Sequence, residues 1–242
     1  MKKSVKIIII VAASILLLTA AFLLVWFLHV VPTREREERT RLVEEYRAAK
    51  RNRYAEENAS LSEEESYVLF LGDSLTDGCD VSHYYPEYKT LNRGIGGDRT
   101  CDVLDRMQVS VYDAKPSVVV LLIGGNNVLG GDDLQKIATE YEAILKGIQG
   151  TLPSTRVVVL SLTSMGGKCA AKNPQAALLN YRIKDLAEQY GYSFVDVFTP
   201  LYDPETMEIR AEYTSDGAHL TDAGYKVLSA AVKPAIDAAL CE

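Results

Sequence analysis

A serine hydroxyl, an imidazole and a carboxylate brought into one crevice can cleave an ester through a covalent acyl intermediate. The chain of 242 residues has few histidines with which to build such a site: His29, His83 and His219. His29 lies inside a long apolar run, which leaves two candidate bases. His219 stands three residues after Asp216 in SDGAHL, so one turn of chain can set the carboxylate on one ring nitrogen and leave the other facing a hydroxyl. His83, within VSHYYPEY, has no comparable local carboxylate except Asp80. Ser74 directly follows the apolar run YVLFLG and is the leading nucleophile, although a serine between a strand and a helix also serves as a cap. An oxyanion needs N–H donors, which the backbone at Gly96 and Gly97 and the side chain of Asn126 can supply. A cysteine hydrolase built on Cys79 or Cys101 with His83 is less well supported, because neither thiol directly follows a strand end.

These groups need a frame that gathers distant segments. Short apolar runs at 67–72, 90–94, 117–124, 156–162 and 192–198 read as buried strands. Apolar residues at three- and four-residue spacing predict helices over 98–110, 132–149, 173–190 and 221–240. Such alternation implies a parallel sheet covered on both faces by helices. Reactive groups in that architecture collect at the carboxyl ends of the strands. Ser74, the 94–100 loop, the 124–131 loop and the loop carrying Asp216 and His219 all occupy such ends.

Four blocks in this order resemble the SGNH hydrolases, also called GDSL esterases and lipases. Gly72-Asp73-Ser74-Leu75 is similar to the nucleophile block and Asn92 to Thr100 to the block whose glycine, here Gly97, gives an amide. Gly124-Gly125-Asn126 is similar to the block giving a side-chain amide, and Asp216-Gly217-Ala218-His219 to the D-x-x-H block. The resemblance spans residues 67 to about 235. It implies a flavodoxin-like three-layer α/β/α sandwich with a five-stranded parallel sheet, and hydrolysis of esters or thioesters without metal or cofactor. Ser74 would be the nucleophile, His219 the base and Asp216 its orienter, with the Ser74 amide, the Gly97 amide and Asn126 forming the oxyanion hole. One position departs from the family pattern: Asn127 stands where an Asp is usual.

Other chemistries fit poorly. The sequence is not the G-x-S-x-G elbow, because Thr76 takes the last glycine position. Gly94, Gly96 and Gly97 fail the dinucleotide fingerprint at Arg99, and Gly166-Gly167-Lys168-Cys169 lacks the hydroxyl of a phosphate loop. The four cysteines, Cys79, Cys101, Cys169 and Cys241, have no metal-ligand or C-x-x-C spacing; outside the cytoplasm they would permit one or two disulfides. The net charge is −7, with the acidic excess concentrated after residue 66, which argues against a nucleic-acid partner.

The first 31 residues read as a membrane anchor. Ile7 to Val31 is 25 residues without a formal charge, roughly 37 Å as a helix, preceded by Lys2, Lys3 and Lys6. A cleaved signal peptide cut near Ala20-Ala21 would leave FLLVWFLHVV exposed, so a signal anchor is preferred. Arg34, Arg36, Arg39 and Arg41 follow the span and weaken the charge asymmetry; the amino terminus is expected inside and the rest outside. Residues 32–66 are charge-rich and expected to form a solvated helical stalk without a core, with Glu44 and Arg47 at helical spacing. The hydrolase domain is expected over 67–242. The expected protein is thus a single-pass membrane esterase acting on acetyl esters of cell-envelope glycans or on lysophospholipids. The alternative is a non-catalytic surface module holding glycan or lipid in the same crevice.

Overall fold

A computed structural model describes residues 2–26 and 31–241; His29 lies outside them. The chain divides into two compact units, residues 1–50 and 51–242. The first contains helix α1 (Lys2–Val25) and most of α2 (Val31–Asn58). Among the described residues no helix is long and apolar enough to cross a membrane. Several side chains of the apolar stretch, at positions 9, 10, 12, 13, 25 and 27–30, lie outside that description. Those of Leu16, Leu17 and Leu18 are exposed. On α2 the expected Glu44–Arg47 pair forms at 3.3 Å and Arg41 pairs with Glu45 at 3.5 Å, contacts that contribute little at a solvated surface.

In the second unit a small antiparallel pair, Tyr202–Asp203 with Glu208–Ile209, stands apart from the main sheet, whose strands are β1 (Tyr67–Gly72), β2 (Lys89–Gly94), β3 (Val118–Leu122), β4 (Arg156–Leu160) and β5 (Ser193–Val195). All pair in parallel in the order β2-β1-β3-β4-β5, the flavodoxin-like arrangement. Side chains alternate between faces along a strand, so two cores result. Leu69, Leu71, Val119, Leu121, Val157 and Val159 build one core; Val68, Phe70, Val118, Val120, Val158 and Leu160 build the other.

Two short helices, α3 (Ser74–Asp77) and α4 (Val81–Tyr84), link β1 to β2, and α5 (Thr100–Asp105) follows β2. After β3 come α6 (Gly125–Gly130) and α7 (Leu134–Thr151), then α8 (Asn173–Gln189) after β4 and α9 (Asp222–Cys241) at the end. Helix α7 starts where the Asp133 carboxylate accepts the Lys136 amide at 2.9 Å, and it buries Ile137, Tyr141, Ile144, Leu145 and Ile148 on one face. Helix α9 buries Leu228, Val232, Ile236 and Ala239 against the second core.

Three expectations differ in detail. The helix expected over 98–110 starts later and is broken: Asp98 is taken by Arg106 at 2.7 Å, the Asp102 carboxylate accepts the Arg99 amide at 2.9 Å, which starts α5 at Thr100, and after Asp105 the chain turns into a π-helical segment, Gln108–Tyr112. The stretch at 124–131, read as a loop, contains α6. The 32–66 segment does contribute to a core: Tyr54, near the end of α2, is fully buried, and Asn58 donates to the Val109 carbonyl at 2.7 Å.

Candidate active site

Strand β1 ends at Gly72, and Asp73 then turns the chain into α3, its carboxylate accepting the Leu75 amide at 3.1 Å. Ser74 is therefore the first residue of α3, at the carboxyl edge of the sheet. From the far end of the chain, the 213–221 loop delivers His219. Thr214 Oγ1 accepts the Gly217 amide at 2.9 Å and donates to the His219 carbonyl at 2.8 Å, closing the loop on itself. Gly217 lies at φ +89°, and a Cβ there would stand 2.2 Å from the Gly166 carbonyl oxygen. Only glycine meets both conditions, so this position anchors the loop against the chain after β4.

The result is a continuous relay. His219 Nε2 lies 3.0 Å from Ser74 Oγ and His219 Nδ1 lies 2.7 Å from Asp216 Oδ2. The second carboxylate oxygen of Asp216 accepts the amides of Ala218 and His219 at 2.9 and 2.8 Å. The His219 ring hydrogen bond, followed by these two amides, holds the Asp216 carboxyl well below the ordinary carboxylate range. It stays ionised at any working pH and fixes the imidazole with Nε2 turned toward the serine. Both side chains are about half exposed, at 51% and 52%, so the backbone turn, more than charge attraction, sets their geometry.

Ser74 and His219 border a cavity of about 80 Å³, lined also by Asn126, Leu129, Leu162 and Met165. That is small beside the roughly 300–1,000 Å³ of pockets for drug-sized ligands. Asn126 enters it from α6, its Nδ2 donating to the Asp98 carbonyl at 3.0 Å and lying 3.4 Å from Asp73 Oδ2. Gly97 is not among the cavity-lining residues; it is exposed, in the turn after β2, one residue before Asp98. Asn127 uses both ends of its amide, accepting the Thr100 amide at 3.0 Å and donating to Asp132 at 2.9 Å. A carboxylate could accept the first of these and would repel the second.

The other candidates lie elsewhere. His83 sits on α4 edge-on to Tyr84, with ring centroids 4.9 Å apart, outside the cavity. Burial pushes the Cys79 thiol up to about 12, which leaves no thiolate at neutral pH. All four cysteines are free thiols, so none of the disulfides allowed by the sequence is present. Two supports were not recognised from sequence. Asp73 is buried behind the serine, and burial, with the Asp98 charge adding, pushes its pKa up to about 6. The buried Asp98–Arg106 pair, whose Arg106 also donates to the Gly72 carbonyl at 2.9 Å and to Ser110 at 2.8 Å, ties the loop after β2 to the end of β1. Asp73 carried a signal, being inside the GDSL block; Arg106 carried none.

Comparison with known proteins follows the same residues. The model of the GDSL-like Lipase/Acylhydrolase family matches residues 70–227. Platelet-activating factor acetylhydrolase IB subunit alpha2 of Gallus gallus is 32% identical over 127 residues, 50% of this chain and 55% of that protein. The Rattus norvegicus subunit is 29% identical over 169 residues, covering 67% and 72%. The chain thus spans about half the length of the avian relative and more of the rat one. A GDSL-like lipase from Bacteroides thetaiotaomicron superposes with a TM-score of 0.71 at 25% identity, covering 78% of this chain and 98% of the other. An acetylxylan esterase from Geobacillus stearothermophilus shares the fold with a TM-score of 0.60 at 20% identity, covering 71% and 94%. With the family model spanning more than half of its length, the chain belongs to the GDSL-like lipase/acylhydrolase family, the SGNH hydrolases, a family of carboxylic ester hydrolases.

Proposed function

We propose that this protein is a membrane-tethered serine esterase that removes short acyl groups, acetyl above all, from esters presented outside the cytoplasm. One observation carries the reading: the Ser74–His219–Asp216 relay, at 3.0 and 2.7 Å, opens on a cavity of only about 80 Å³. Ser74 Oγ attacks the acyl carbon as its proton passes to His219 Nε2, and Asp216 stabilises the imidazolium. The carbonyl oxygen becomes an oxyanion held by the Ser74 amide, the Gly97 amide and Asn126 Nδ2. When the carbonyl re-forms, the ester C–O bond breaks and the departing alcohol takes the proton from His219. Water then attacks the acyl-enzyme with His219 as base, releasing the acid and restoring Ser74.

The small slot, walled by Leu129, Leu162 and Met165, suits an acetyl group better than the long chain of a lysophospholipid. The named activity of the platelet-activating factor acetylhydrolase relatives points the same way. An acetylated glycan of the cell envelope is the substrate class that fits an enzyme tethered outside the membrane. The tether itself rests on the apolar stretch from Ile7 to Val31 and on the exposure of Leu16, Leu17 and Leu18.

A fluorophosphonate probe and p-nitrophenyl acetate test the reading together. The wild type is expected to label and to turn over, and Ser74→Ala to do neither. A wild type that binds glycan or lipid but neither labels nor releases nitrophenol would be a binding module instead.

A further inference from the structure

We propose that the last turns of α2 position the oxyanion loop through Tyr54, whose phenol holds the Gly94 carbonyl. The inference rests on the hydrolase reading, in which Gly97, three residues further on, donates to the oxyanion. Tyr54 is fully buried in a segment whose neighbours Arg53, Ala55 and Glu56 are exposed, and its hydroxyl donates to the Gly94 oxygen at 2.6 Å. Its ring lies 4.6 Å from the guanidinium of Arg93, itself 0% exposed. Arg93 pairs with Glu57 and donates to Asn58 Oδ1 at 2.8 Å. Both residues that end β2 are thus held by α2, one by its side chain and one by its carbonyl.

The opposite side of this strand end is equally constrained. A Cβ on Gly94 would stand 2.1 Å from the backbone nitrogen of Asp77, so β2 ends in direct backbone contact with α3, the helix that carries Ser74. The Gly94 carbonyl and the Ile95 amide belong to one rigid peptide plane. Tyr54 fixes its oxygen, and the Gly72 carbonyl accepts its N–H at 3.2 Å. The next amide, of Gly96, donates to Asp77 Oδ2 at 3.2 Å. With the phenol gone, the oxygen end of that plane is released from α2, and the turn carrying Gly97 is held from the α3 side alone. Tyr54 touches no reacting atom; it acts by holding a donor in place, and a donor misplaced by 1 Å costs on the order of 10²-fold in rate.

Tyr54→Phe in the full chain, in detergent, is the test, because it removes the hydroxyl and keeps the buried ring. With p-nitrophenyl acetate its kcat is expected to fall about tenfold while KM stays within about twofold, a loss confined to the transition state. The Ki of ethylboronic acid, which forms a tetrahedral adduct on the serine, is expected to rise by a similar factor. Tyr88→Phe, which removes a phenol hydrogen bond of 2.6 Å to Asp237, is the comparison and is expected to leave kcat and Ki unchanged. A Tyr54→Phe enzyme with kcat within about twofold of wild type, or one whose kcat falls with the boronate Ki unmoved, overturns the inference and leaves the esterase intact. Absence of turnover in the wild type itself defeats the hydrolase reading and this inference with it.

Discussion

Replacing Asp73 with Asn is expected to make the protein more stable and less active. The Asp73 carboxyl is 5% exposed. Burial first, and then the charge of Asp98, push its pKa from 3.8 to about 6, against the opposing effects of the Leu75 amide and His219. A carboxyl with a raised folded pKa binds its proton more readily in the folded than in the unfolded chain. Stability therefore falls as pH climbs from 3.8 to about 6, and the full penalty stands above that window. The difference corresponds to about 3 kcal/mol. Asn keeps an oxygen for the Leu75 amide and carries no charge. Its own amide then faces Asn126 Nδ2 across 3.4 Å, which offsets about 1 kcal/mol of the gain. The net expectation at pH 8 is about 2 kcal/mol, or roughly 4–8 °C in Tm for a domain of this size, shrinking to almost nothing near pH 4. Urea midpoints and melts of both proteins at pH 4, 6 and 8 measure this. A variant no more stable than wild type at pH 8, or one with the same advantage at pH 4, would refute the argument from burial. Turnover is expected to fall, since Asp73 adjoins both Ser74 and Asn126, and a buried charge kept at such a site trades stability for activity.

Asn126→Ala should lower kcat on p-nitrophenyl acetate by about 10²-fold, near 3 kcal/mol, with KM little changed; a fall in binding alone would remove Asn126 from the oxyanion hole. Asn127→Asp should destabilise the fold by about 1–3 kcal/mol near neutral pH, because it sets a second carboxylate 2.9 Å from Asp132. Adding Asp132→Asn should restore most of that loss, and melts of the double-mutant cycle will show whether the two positions couple. Leu129→Ala should enlarge the acyl slot and raise the butyryl-to-acetyl ratio of kcat/KM by at least about tenfold, within the 1–3 kcal/mol that a methylene contributes; an unchanged ratio would place the acyl group elsewhere.

Much of the frame was legible because its pattern is local. The strands at Tyr67–Gly72 and Val118–Leu122 are short runs of large apolar residues, which in an alternating α/β chain leave few options but a doubly covered parallel sheet. The candidates were legible through order: Ser74, Gly97 and Asn126 come a few residues after a strand and Asp216–His219 just before the last helix; Ser74, Asn126 and His219 meet at one cavity, whose lining does not include Gly97. What stayed hidden depends on pairing across distance. Arg106 and Asp98 look like solvated helix charges in sequence, yet they form an ion pair with side chains 2% and 1% exposed, and with Asp98 held there the helix starts only at Thr100. Tyr54 is one aromatic ring in a charged helix with no apolar periodicity, so nothing local marks it as buried. Asn127 looked like a defect against the family pattern. The cause is supplied by Asp132, five residues on, which needs a donor there.

The half exposure of the imidazole and its aspartate has a bearing on what the enzyme can recognise. If the acyl group takes the slot beside Ser74, as proposed, the leaving group departs past a half-exposed imidazole. Discrimination then falls on the carbon count of the small fragment, while the scaffold bearing it, whether sugar polymer or compact alcohol, needs no complementary surface. On the proposed reading, such a layout suits small decorations carried on very large, insoluble matter, none of which has to enter the protein.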